Sequence, residues 1–202
     1  LMPSPWSSQN SIRDAIELAK RLHIQTKIIP IEELMRSFDN TLQQPLEQVP
    51  KGITAENLQS RIRGTILMAI ANQNGDLLLS TGNKSELAVG YCTLYGDMNG
   101  GLSVIGDLYK TCLYDLCKWL DSIHSKEIRE KYKLKSLGKI IGDNILTKAP
   151  SAELRPGQVD SDSLPDYSTL DEILKGLIEY KLDLNSLIRL HLSNKAFCLF
   201  LI

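Results

Sequence analysis

The sequence is short of the residues that mark several classes of protein. Its 202 residues include three histidines and four cysteines. The cysteines are Cys92, Cys112, Cys117 and Cys198, and none forms a C-x-x-C pair. That argues against a zinc site and reads as reduced thiols in a cytosolic protein. No apolar run approaches the ~20 residues of a membrane helix; the longest candidate, Ala196 to Ile202, is far too short. No basic stretch leads into an apolar one at the start, so no signal peptide is legible. Neither sign of charge dominates, with 23 basic against 24 acidic residues. A general nucleic-acid binder carries a basic excess, so that class is excluded. With 43% hydrophobic residues the chain is not disordered. Its length suits one domain with one core.

What is present alternates helix with strand. Ser8 to Leu22 reads as a helix, capped by Ser7, Ser8 or Ser11, with Ile12, Ala15, Ile16, Ala19 and Leu22 on one face. Lys27 to Ile31 reads as a short buried strand, and Glu32 to Leu46 as a helix closed by Pro45. A helix is predicted from about Ala55 to Asn72, with Thr54 as its cap and Leu58, Ile62, Ile66, Ala69 and Ile70 inward. Asn74-Gly75 is a turn signal. Leu77-Leu78-Leu79 fits a strand buried on both faces. Gly96 to Gly106 reads as a loop that turns sharply or approaches a ligand closely. Asp107 to Ile123 is predicted helical, with Asp107 as a candidate N-cap. Thr147 to Pro165 reads as irregular, and Ser168 or Thr169 caps a last helix to about Tyr180. Alternation of this kind implies parallel strands flanked by helices. Ligands in such sheets sit beyond the carboxyl ends of the strands, where Thr81 to Glu86 falls.

Ser80-Thr81-Gly82-Asn83-Lys84-Ser85-Glu86 imitates the end of a phosphate-binding P-loop, but the required glycine spacing is absent. The stretch still gathers a hydroxyl, an amide, an ammonium and a carboxylate at a strand end. A carboxylate there suits Mg²⁺ shared with phosphates; Ser85 reads alternatively as a helix cap. Asn57 and Arg61 are four apart and share a helix face, with Arg63 off it. A guanidinium suits phosphate or carboxylate. Asp160, Asp162, Asp166, Asp171 and Glu172 form an acidic cluster that reads as a solvated loop. No nucleophile–base pair is visible.

Several strings in one order resemble a known family. They are Met2-Pro3-Ser4 with Ser7-Ser8, Glu56 through Thr65, Leu79 through Glu86, Gly90 through Met98 with Gly100-Gly101, Asp107 through Thr111, Lys148 through Pro156, and Gln158 through Leu164. Together they resemble NAD synthetase, in particular the synthetase domain of the glutamine-dependent type. The resemblance implies an adenine nucleotide α-hydrolase-like fold of the ATP pyrophosphatase kind, α/β with a parallel sheet and flanking helices. It implies ATP-dependent amidation of nicotinic acid adenine dinucleotide to NAD through an adenylated intermediate, with ammonia from glutamine.

The implied site follows residue by residue. Thr81, Glu86, Lys110, Ser151 and Ser7 would bind ATP, with Glu86 also holding Mg²⁺ and Lys110 and Ser151 as the catalytic residues. Asn57, Arg61, Asn83 and Asp97 would bind the dinucleotide. A homodimer in the cytoplasm is implied, with no nucleic acid or membrane partner. The family's Ser-Gly-Gly-x-Asp-Ser pyrophosphate loop does not occur here, and the chain opens on Leu1. The expectation is a partial synthetase domain over residues 1–180, incomplete at its N-terminus and inactive alone, then a divergent apolar tail over 181–202. Another ATP pyrophosphatase, or a degenerate fragment that only dimerises, are the alternatives.

Overall fold

The computed structural model describes residues 1–135 and 138–191; the residues from 192 on, with Cys198 and half of the expected apolar tail, lie outside the described residues. Helix α1 (Gln9–Arg21) starts where its sequence says, because the Ser8 hydroxyl accepts from the Ser11 N–H at 3.1 Å. Its apolar face is half-buried, with Ala19 buried. The Lys27–Ile31 segment is extended but is not a full strand. It lies parallel to residues 1–3 through three main-chain bonds: Leu1 N to Lys27 O, Ile29 N to Leu1 O, and Ile31 N to Pro3 O. Pro3 has no N–H to give, so the ladder lacks its next bond in that direction.

Helix α2 (Glu32–Gln43) follows, then the long α3 (Ile53–Asn74). Helix α3 starts at Gly52 rather than at Thr54, since Gly52 adopts φ +55° and supplies the bend. Gly75 ends it in the left-handed region, as Asn-Gly implied. Ile62 and Ala71 face the core, whereas Ala69 is exposed.

Strand β1 (Leu79–Ser80) pairs in parallel with β2 (Leu102–Ser103). Two expectations are corrected here. The glycine-rich stretch contains a strand, and Gly100 makes that strand possible. A Cβ on Gly100 would stand 2.6 Å from the Ser80 amide nitrogen, so only glycine lets the chain come this close to β1. Leu77 and Leu79 are 65% and 48% exposed rather than buried on both faces. Among the described residues β1 has one partner strand, which leaves the other edge open.

Short α4 (Lys84–Ala88), α5 (Lys110–Leu120), α6 (Lys126–Lys131) and α7 (Asp143–Thr147) lead to α8 (Tyr167–Leu174), one π-turn, and α9 (Leu184–His191). Helix α8 carries the core. Leu170 and Leu174 pack on Tyr109, with Val89, Leu164 and Tyr167 around them. Ile173 packs on Leu187 of α9. Asp166, not Ser168 or Thr169, caps α8, accepting from the Thr169 amide at 3.0 Å. Hydrogen bonds from Ser168 and Thr169 hold the Asp166 carboxyl below its usual range.

Candidate functional site

The structure sorts the expected site residues into three groups. The first stands beyond the carboxyl end of β1. Asn83 caps α4 and forms a reciprocal box with Glu86: the Glu86 amide donates to Asn83 Oδ1, and the Asn83 amide to Glu86 Oε2, both at 3.1 Å. This leaves Glu86 Oε1 to accept from the Lys110 ammonium at 2.8 Å. Both side chains are one-fifth exposed. The Lys110 ammonium also stands 5.1 Å from the Tyr167 ring centroid. Tyr167 is held by its hydroxyl donating to Asp160 at 2.8 Å. Burial, then Asp160, pushes the Tyr167 hydroxyl far up, so it keeps its proton. Thr81 is exposed between β1 and α4.

Two readings of this region are revised. Ser85 does not cap α4; it is fully buried and bonds across to Asp171. Asp107 does not cap α5; it is exposed and pairs with Lys84 at 3.0 Å. The acidic cluster is not simply a solvated loop either. Asp160 and Asp171 are buried, each holding two partners. A sequence shows only that acids are frequent there, not which of them the fold encloses.

The second group lies on α3. The Thr93 hydroxyl donates to Asn57 Oδ1 at 2.9 Å, and Arg61 Nε to Leu94 O at 3.2 Å. Asp97 Oδ1 accepts from the Thr93 amide at 2.6 Å and from Ser60 at 3.3 Å. Asn57, Arg61 and Asp97 are thus brought together, while Asn83 belongs to the first group. Gly64 lets the loop in, since a Cβ there would lie 2.8 Å from Tyr95 O. Arg63 points elsewhere, donating to Met2 O at 3.0 Å.

The third group surrounds a cleft of about 540 Å³ lined by Ser8, Lys148, Ser151, Glu153 and Gln158, among others. Ser151 donates to Gln158 O at 2.5 Å and accepts from the Glu153 amide at 3.1 Å. Its hydroxyl therefore shapes the 151–158 loop. Ser7 accepts from the Ser4 amide at 3.1 Å, in the turn that leads into α1. Neither residue is described in contact with Glu86 or Lys110.

Sequence reasoning missed the centre of this group. Glu153, in the left-handed region at φ +49°, accepts from the Ser8 amide and hydroxyl, from Ser11 and from Lys148. Burial would raise its pKa; the bonds from Lys148, Ser11 and Ser8 outweigh it and hold the carboxyl down at about 2. Its only signal was its place in the Lys148–Pro156 string.

Among the described residues no group of three or more His, Cys, Asp or Glu side chains could hold a metal alone. The single Glu86 carboxylate fits a Mg²⁺ that keeps phosphate oxygens and waters as its other ligands. It does not fit a cage built from protein alone. No described helix is long and apolar enough to cross a membrane.

Parallel strands with a polar cluster beyond a strand end define an α/β protein with its ligand-binding place at that end. Its similarity to solved NAD synthetases gives the adenine nucleotide α-hydrolase-like fold. It overlays on the glutamine-dependent NAD⁺ synthetase of Acinetobacter baumannii in complex with ADP with TM-score 0.63 and 39% identity, over 93% of this chain and 31% of that one. With the NMN synthetase of Francisella tularensis the TM-score is 0.73 at 29% identity, over 87% of this chain and 65% of that one. Residues 1–198 match the family model NAD synthase, and the chain belongs to that family. It is 57% identical over 179 residues to the glutamine-dependent NAD(+) synthetase of Synechocystis sp., covering 89% of this chain and 30% of that protein. Against the Thermotoga maritima enzyme of the same name identity is 51%, over 91% of this chain and 30% of that protein. The chain thus spans about 30% of the length of these curated relatives.

Proposed function

We propose that the chain is the nucleotide-handling part of a synthetase that converts nicotinic acid adenine dinucleotide to NAD. ATP is consumed, and the ammonia comes from glutamine. The observation that carries this reading is the Lys110–Glu86 pair, 2.8 Å apart, beyond the carboxyl end of β1. A free carboxylate is a poor electrophile. The substrate carboxylate therefore attacks the α-phosphorus of ATP, pyrophosphate leaves, and a mixed anhydride forms. Ammonia then attacks the activated carbonyl, and AMP departs with the electron pair of the broken C–O bond.

Both steps move charge across phosphates, so the protein's work is positioning and neutralisation. Lys110 would meet the ATP phosphates, and in the free protein Glu86 balances its charge. Glu86 would hold a Mg²⁺, which would draw negative charge from the phosphate oxygens. Thr81, Ser7 and Ser151 would line the ATP path, with Ser151 acting through the loop it braces. Asn57 and Arg61, joined to Asp97 through loop 93–97, would seat the dinucleotide, with Asn83 and Asp97 near its nicotinate end. We assign residues 1–180 to this role, in a cytoplasmic homodimer.

The test belongs in the full-length protein, because the chain spans a minority of its relatives' length. Glu86→Ala is expected to lower NAD formation by at least a hundredfold at saturating ammonium; activity within threefold of the parent would overturn the assignment. Competition with nicotinic acid mononucleotide as acceptor separates this reading from an NMN-forming one.

A further inference from the structure

Helix α5 begins with Lys110, and its first turn has no cap of its own. Tyr109 occupies the cap position, in an extended conformation and without a side-chain bond to the helix. The first N–H groups of a helix have no partner inside it. Here two of them are satisfied from other helices. The Lys110 amide donates to the Ser85 hydroxyl of α4 at 2.8 Å. The Thr111 amide donates to Asp171 Oδ2 of α8, also at 2.8 Å. Ser85 in turn donates its proton to Asp171 Oδ1. Both oxygens of one carboxylate are engaged, and three helices meet at it.

Ser85 is 0% and Asp171 1% exposed, so water does not compete for these bonds. A carboxylate at a helix N-terminus also complements the helix dipole. Ser85 directly precedes Glu86. The same contact that anchors the Lys110 backbone therefore anchors the residue beside the carboxylate that its side chain meets. Leu170, next to Asp171, packs on Tyr109, next to Lys110, so apolar contact holds the same two helices together.

We propose that Asp171 and Ser85 are positioning residues. They cap α5 from outside and set where the Lys110 ammonium stands relative to Glu86, and through that they set the affinity for the ATP triphosphate. The inference rests on the role given to Lys110 above. Both residues are enclosed among the helices and act through Lys110.

The test uses Asp171→Asn and Ser85→Ala in the full-length protein. Asparagine keeps the volume but cannot accept at both positions, and alanine removes only the hydroxyl. Each variant is expected to raise the KM for ATP about tenfold, with the dinucleotide KM within twofold of the parent. Hydrogen exchange of the Lys110 and Thr111 amides is expected to quicken. In a Lys110→Ala background Asp171→Asn is expected to change the ATP KM no further. Unchanged amide exchange in both variants overturns the cap, whatever the protein's reaction. Faster exchange with an unchanged ATP KM, where Lys110→Ala raises it, overturns the positioning role. An equal rise in KM with and without Lys110 overturns it too. If Lys110→Ala itself leaves the ATP KM unchanged, the role of Lys110 fails and takes this inference with it.

Discussion

Asp171 and Glu153 are both carboxylates that join distant parts of the chain, and they do it in opposite surroundings. Asp171 is buried and is held by a serine hydroxyl and a backbone amide. Glu153 has a side chain 20% exposed beside a cleft, and adds the Lys148 ammonium, 2.8 Å away, to its serine partners. Enclosed neutral donors give a junction whose geometry is insensitive to salt. A partly solvated cation gives one that salt can tune. The first stands behind Lys110 and Glu86. The second ties α1 to the 148–158 loop beside a cleft, where solvent has access.

The sharpest way to break this comparison is to remove each carboxylate. Asp171→Ala takes the acceptor away from the Thr111 amide and from the proton of the buried Ser85 hydroxyl and is expected to cost about 2–4 kcal/mol in urea unfolding. A loss below that of Glu153→Gln would reverse the ranking of the two junctions. Glu153→Gln is expected to cost about 1 kcal/mol at neutral pH, allowing for solvent screening. Because the folded carboxyl sits at about 2, below the ordinary value of 4.5, its contribution is present above pH 4.5 and is lost as pH falls toward 2. The parent and Glu153→Gln stabilities should therefore converge over that interval; parallel curves would contradict the assignment.

Salt sharpens the contrast by a smaller amount. Between about 0.1 M and 1 M salt the screening length falls from about 10 Å to about 3 Å. Lys148→Ala should then lose part of its destabilising effect, while Asp171→Ala keeps its own. The smallest effect is expected at the exposed Lys118–Asp115 pair on α5. Lys118→Ala should stay within about 0.5 kcal/mol of the parent in the same unfolding assay.

Much of the helical framework was legible, because its signals are local. The Ser8 cap and apolar spacing mark α1, and the alternation Leu58, Ile62, Ile66 with the Asn-Gly stop marks α3. Asn57 and Arg61 could be placed on one face by their spacing alone, and Arg63 off it. Strand β2 was not legible. Leu102-Ser103 carries no alternation, and its partner lies 23 residues away in number, brought in by the glycine at position 100. Nor could the sequence rank five acids within 13 residues. Asp171 and Asp160 became anchors, whereas Asp166 became a helix cap.

The sequence by itself determined the family, the longer helices and the identity of the Glu86 and Lys110 side chains. These rest on residue type and short spacing, which are written along the chain. Only the tertiary structure decided that Lys110 faces Glu86, that Ser85 serves α5 rather than α4, and that Asp171 closes the junction. Thr111 and Asp171 are 60 residues apart. A hydrogen bond across that separation leaves no local pattern, because it exists only once folding has brought the two groups together and buried the carboxylate away from the water that would otherwise satisfy it.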